Sequence, residues 1–187
     1  MATRAAIRTA LILMLCGMAC NVLAQTAQSK TNSREDAKAA YCKATGGRLG
    51  VRSAYSSPSK PKEDVQLCEY RAPDGSRIYL SLETLTQTKP TQAVLAYYAQ
   101  TPWNQQGHGV PAAHYCLQLG GREMPATDPT VDINNPKGED ATIEMCVFPD
   151  NSMIDSWGLK YHSDNIVRGI DLSTVLKYPN PHAKKSK

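Results

Sequence analysis

Phenylalanine is almost absent from this 187-residue chain, one Phe standing against nine Tyr. A core built from such rings must find partners for phenol hydroxyls, and Tyr and Trp are also favoured where an apolar ring needs a wet edge, as on recognition surfaces. Histidine is scarce too, at four residues. No C-x-x-C pair, H-E-x-x-H, G-x-S-x-G elbow or phosphate loop occurs, so zinc, metalloprotease, α/β-hydrolase and nucleotide chemistries have no motif to rest on. The longest apolar run, Ala10 to Ala19, falls short of the roughly 20 residues of a membrane span. Strong charge of one sign is missing as well. The formal net charge of +4 includes Arg4 and Arg8; without them it is 4 − 2 = +2, which Lys184, Lys185 and Lys187 more than cover. A nucleic-acid binder keeps a basic stripe on its folded body, so no nucleic-acid partner is expected.

What is present begins with a secretory pattern. Arg4 and Arg8 precede the apolar run, and Val22-Leu23-Ala24 ends at a small residue, which predicts a signal peptide over 1–24 cleaved after Ala24. Lipidation at Cys20 is the alternative; Gly17 stands where such sites want a larger apolar residue. Export leads to a periplasmic location and removes Cys16 and Cys20, leaving Cys42, Cys68, Cys116 and Cys146 in an oxidising compartment.

An internal repeat organises the rest. Tyr41-Cys42-Lys43-Ala44-Thr45-Gly46-Gly47-Arg48 returns seventy-four positions later as Tyr115-Cys116-Leu117-Gln118-Leu119-Gly120-Gly121-Arg122. Cys68 with Pro73-Asp74-Gly75-Ser76 and Ile78 is echoed by Cys146 with Pro149-Asp150-Asn151-Ser152 and Ile154. Two related modules are therefore expected. Each holds one cysteine of each kind, which among three possible connectivities selects Cys42–Cys68 and Cys116–Cys146. Bridges of this loop length contribute about 3 to 4 kcal/mol, enough to decide whether modules of this size fold.

Helical spacing, turns and alternation fill in each module. Ser33 and Asp36 read as the cap of a helix bearing Ala37, Ala40, Tyr41 and Ala44, and Pro111 opens a second carrying Ala112, Tyr115, Cys116 and Leu119. Each Gly-Gly pair follows its helix and so reads as a stop, not as an anion loop. Strands are expected over 48–52, 65–70 and 141–148, with hairpins turning at Asp74 and Asp150 into the runs 78–82 and 153–159. A helix opens after Lys89-Pro90-Thr91 and closes at Thr101-Pro102, and 172–179 resembles a shorter version of it. The expected fold class is α+β: two tandem small modules, each an N-terminal helix stapled by a disulfide to a three-stranded antiparallel sheet, with a following helix. The divisions are a leader over 25–32, module one with its linker helix over 33–100, a linker over 101–110, module two over 111–178 and a basic tail over 179–187.

Residues 41–82 and 115–160 resemble a family of small exported bacterial domains of unknown function that carries a haemolysin label. The resemblance runs through Tyr115-Cys116, Gly120-Gly121, Cys146-Val147-Phe148-Pro149-Asp150-Asn151-Ser152 and Trp157. Family members often carry a further cysteine after the P-D-G-S turn, where this chain has Ile78 and Ile154. Nothing in the sequence resembles a pore-forming hairpin.

No catalytic set, cofactor or metal site emerges. Asp150, Asp155 and His162 are the only candidates for an envelope enzyme acting on peptidoglycan or glycan, and Asp150 is more simply a turn residue, matched by Asp74. His108 and His114 flank Pro111 and need not face each other. The expected function is a non-enzymatic module that binds a protein or cell-envelope partner, as an inhibitor or immunity-type factor would; a purely structural envelope protein is the third possibility. The partner surface is expected at Trp103 in its polar linker and in the two polar loops where the copies differ, at Lys60 and Lys62 and at Asp128 and Asp132.

Overall fold

The structure, a computed structural model, describes residues 30–54, 63–105, 109–127 and 142–183. Residues 39–187 form one compact unit and 1–38 another. Helix α1 runs through 30–44. Ser33 and Asp36 thus lie inside the helix and do not cap it, because helical geometry already passes through 30–32. Then come β1 (Arg48–Ala54), β2 (Glu63–Arg71), β3 (Arg77–Ser81), α2 (Leu82–Thr86) and α3 (Gln92–Ala99). The second half follows as α4 (Pro111–Gln118), β4 (Arg122–Thr127), β5 (Thr142–Val147), β6 (Met153–Asp155), α5 (Ser156–Ser163) and a 3₁₀ turn at Leu172–Thr174.

The strands form one curled antiparallel sheet, closed in the order β1-β2-β3-β6-β5-β4. Two modules, each with its own three-stranded sheet, were expected; instead the halves join edge to edge. Leu80 of β3 pairs with Ile154 of β6, and at the other seam Ser53 and Ala54 pair with Thr127 and Ala126. Joining leaves both halves fewer free edges, which small sheets otherwise have to protect. The run expected as a strand over 153–159 is one only to Asp155. Asp155 accepts from the Gly158 amide at 2.9 Å and caps α5, so Trp157-Gly158-Leu159 is helical. Ser81 plays the same part for α2, accepting from Thr84 at 3.2 Å.

Alternation along the strands gives the sheet two apolar faces. Inside lie Leu67, Tyr79, Met124, Ala126, Ile143, Met145 and Val147; Arg52 enters this side, its guanidinium 6.0 Å from the Tyr79 ring. Outside, Cys68, Tyr70, Ile78, Leu80, Cys146 and Ile154 pack beneath residues of the helices. Full burial of side chains such as Leu80, Ile154 and Leu159 stabilises by about 1.5 to 3 kcal/mol each.

Both expected bridges are present, Cys42–Cys68 and Cys116–Cys146. They explain the glycine pairs. Gly46 and Gly120 take φ of +86° and +83°, which ends each helix, while the next amide reaches back, Gly47 to Cys42 O at 2.9 Å and Gly121 to Cys116 O at 3.0 Å. The second glycine answers to the sulfur. A Cβ at Gly47 would stand 2.2 Å from Cys68 Sγ, and one at Gly121 2.5 Å from Cys146 Sγ.

Tyr41 and Tyr115 find their partners in the backbone of the opposite half. Tyr41 donates to Val175 O at 2.8 Å and Tyr115 to Thr101 O at 2.6 Å, contacts related by the same shift, since 41 + 74 = 115 and 101 + 74 = 175. The hairpin turns behave alike: Ser152 Oγ accepts from the Ala93 amide at 3.0 Å and Ser76 Oγ from the Gly169 amide at 3.1 Å. Each half is completed by the segment that trails the other. Other rings of the core also end on polar groups: Tyr98 donates to Tyr178 O at 2.6 Å, and Tyr70 shares a 2.7 Å bond with Thr45.

Candidate functional site

The sheet wall has an opening where β6 stops. Met145↔Asp155 is the last β5–β6 pair, so the preceding residues of β5 have no β6 neighbour. The chain has turned into α5, whose Gly158 passes so close to Ile78 that a Cβ there would meet its side chain at 2.6 Å. The slot left between β3 and β5 is a cavity of about 240 Å³ lined by Arg77, Tyr79, Glu144, Asp155, Trp157 and Arg168 among others. Tyr79 belongs to the inner apolar face and Glu144, two residues from Cys146, to the outer one. Trp157 lies 5.8 Å from the Tyr161 ring, whose other neighbour is the Arg168 guanidinium at 5.0 Å.

Acids gather around this slot at a cost. Asp155 is buried, which pushes its carboxyl up to about 6 despite the Gly158 amide and the nearby Arg168. On β4, burial raises Glu123 to about 7, with Glu144 and Asp155 adding like-charge repulsion. One oxygen of Glu123 and one of Glu144 are shut from solvent without a hydrogen-bond partner. Glu144 thus brings a carboxylate to the cavity wall.

A second cavity, of about 290 Å³, lies on the helical side, lined by Tyr97, Tyr98, His162, Asn165, Asp171 and neighbours. His162 stacks flat on Tyr97, ring centroids 3.8 Å apart. Burial lowers its pKa, with Asp171 opposing, so the ring is neutral at pH 7. Tyr97 accepts from the Leu172 amide at 3.0 Å, which fixes the ring on which the histidine lies.

The three expected candidates for catalysis stand in different settings. Asp155 floors the slot, His162 lines the other cavity, and Asp150 sits in an exposed turn. There Asp150 accepts from the Ser152 amide at 3.0 Å, from Ser152 Oγ at 2.6 Å and from the Gln92 amide at 2.8 Å, contacts that hold it below its usual range despite partial burial. Trp103 is half-buried against the core, with Lys160 Nζ 4.6 Å from its ring. Lys60, Lys62, Asp128, Asp132 and His108 lie outside the described residues, as do the expected signal peptide and the lysines of the tail. Among the described residues no His, Cys, Asp and Glu gather as metal ligands would, and no helix is long and apolar enough to cross a membrane. The bridges fit an extracytoplasmic location.

Sequence reasoning missed Glu144, Glu123, Arg77 and Arg168. The usable signal was the alignment of the halves at their second helix caps, Ser81 with Asp155. Aligning at the Ile78–Ile154 echo sets Tyr79 against Asp155 and hides the fact that a carboxylate replaces a hydroxyl at the same task. No curated protein and no solved structure matches this chain. Residues 107–162, which include α4, the second half of the sheet and all of α5 but its last residue, match the family described as a domain of unknown function, DUF333.

Proposed function

We propose that the chain is a tandem pair of exported modules that together form a non-catalytic binding protein of the cell envelope. The observation that carries this is the dispersal of the candidate catalytic residues: Asp150 is spent on a turn and on the Gln92 amide of α3, His162 on a stack with Tyr97, and Asp155 on the α5 cap. A rigid, twice-stapled sheet with a small polar slot suits recognition of one part of a large partner. The test is co-sedimentation with isolated envelope polymer, while soluble fragments and new reducing ends are assayed in parallel. Saturable sedimentation without fragment release is expected; no sedimentation, or steady release, overturns the reading.

One observation favours a catalytic alternative. Asp155, with its carboxyl raised to about 6, shares a cavity with Glu144, and a pair of carboxyls across one site is what glycan cleavage uses. The binding reading is preferred because Asp155 has its Oδ1 on the Gly158 amide. Release of reducing ends that Asp155→Asn abolishes would establish the alternative.

A further inference from the structure

We propose that the slot between β3 and β5 is a sugar subsite that takes one residue of an envelope glycan, its hydroxyls donating to Glu144 and accepting from Arg168 while Trp157 covers the ring's apolar face. The inference rests on the binding reading above and names the chemistry of the partner.

Three properties of the slot select a sugar. Size comes first: at about 240 Å³ the cavity falls below the roughly 300 to 1,000 Å³ that enclose whole small-molecule ligands, so it suits one unit of a polymer. Charge comes second. Glu144 and Asp155 share the wall with Arg77 and Arg168, so a plain cation or anion meets its own sign on part of the lining. A hydroxyl donates once and accepts twice, and neighbouring hydroxyls on one ring can serve an acid and a guanidinium together. The third property is the ring in the lining: Trp157 stands beside the acids and guanidiniums and offers an apolar face to the C–H side of a sugar.

The other half serves as an internal control. Through the second bridge cysteines, 144 − 78 = 66 places Gln66 opposite Glu144; through the helix caps, 157 − 74 = 83 and 155 − 74 = 81 place Glu83 opposite Trp157 and Ser81 opposite Asp155. The shared scaffold tolerates an amide, a carboxylate on the helix and a hydroxyl at these places. Ring and acids therefore exceed what the scaffold demands.

The experiment follows the Trp157 indole N–H resonance of the full mature chain during titration with soluble peptidoglycan disaccharide–peptide, and separately with chitotriose and maltotriose. Saturable shifts with one class and not the others are expected, and they identify the source of the sugar. Glu144→Gln should weaken binding about tenfold or more, the scale of a lost charged hydrogen bond. For Trp157, Trp157→Phe tests the stacking face, read through the amides of 156–158, and thermal melting confirms that each variant is folded. Gln66→Glu and Glu83→Gln in the other half should leave affinity unchanged. No shift with any sugar overturns the proposal; if envelope polymer still sediments with the protein, the binding reading survives that failure. Shifts of equal size in wild type, Glu144→Gln and Trp157→Phe overturn it too, since the sugar then binds elsewhere.

Discussion

The two halves of the sheet are built by the same contacts and differ in chemistry. Each has a helix ended by a left-handed glycine, a second glycine under a bridge, a tyrosine bonded to the trailing segment of the opposite half, and a serine in the hairpin turn that receives an amide from across. They part at the helix cap after the third strand. Ser81 is a small neutral acceptor, whereas Asp155 does the same work with a carboxyl that burial makes expensive to ionise. Their hairpins differ too. Twelve residues separate Cys68 from its cross-strand partner Leu80, and eight separate Cys146 from Ile154, so the first hairpin reaches two residues further on each strand. That overhang carries Arg77 to the slot. Features present in both halves report what the fold needs; features present in one report what it can spare.

The largest test removes the staples. Cys42→Ala with Cys68→Ala, and Cys116→Ala with Cys146→Ala, open loops of 26 and 30 residues and should each cost about 3 to 4 kcal/mol in urea unfolding; very unequal losses would break the equivalence of the halves. Next come the glycines beneath the sulfurs. Gly47→Ala and Gly121→Ala force a Cβ into the bridge and should each lose about 1 to 3 kcal/mol, with both bridges still closed on non-reducing peptide mapping.

Asp155→Asn sharpens the difference between the caps. The folded carboxyl, raised to about 6 from 3.8, holds a proton that the unfolded chain releases. The contribution of Asp155 should therefore be fully present below about pH 4 and be lost as pH rises to about 6, by an amount on the order of 3 kcal/mol. Asparagine keeps the cap and removes this slope, leaving the decline from Glu123, which extends to about pH 7. An unchanged profile of unfolding free energy against pH would refute the assignment. The smallest effect is expected from Tyr41→Phe and Tyr115→Phe, each losing one hydrogen bond and about 1 kcal/mol in the same unfolding assay.

Much of the scaffold was legible from the repeat. Both bridges, the hairpin turns, α3 and the helix ending at Gly120 follow from cysteine echoes, proline and glycine positions and apolar spacing. The joining of the halves was not, because edge pairing between Leu80 and Ile154 is a long-range choice that local alternation cannot express. Nor was the end of β6: Met153 to Leu159 has the composition of a strand, and Asp155 becomes a helix cap only because the chain leaves the sheet there. The slot escaped for the same reason, its lining drawn from β3, β5, α5 and the loop at Arg168. The packing of Trp103 against the core was hidden as well, since its sequence neighbours are polar.

The crossed hydrogen bonds between halves bear on how the chain acquires its structure. Tyr41 and Val175 are 134 positions apart, and the amides that finish the two hairpin turns come from 59 and 93 positions away. Such distant closures slow folding and make it cooperative. In synthesis from the amino end α1 emerges long before its tyrosine's acceptor, which comes only with Val175. A product stopping before Val175 would leave the first half uncovered, a ready target for proteolysis.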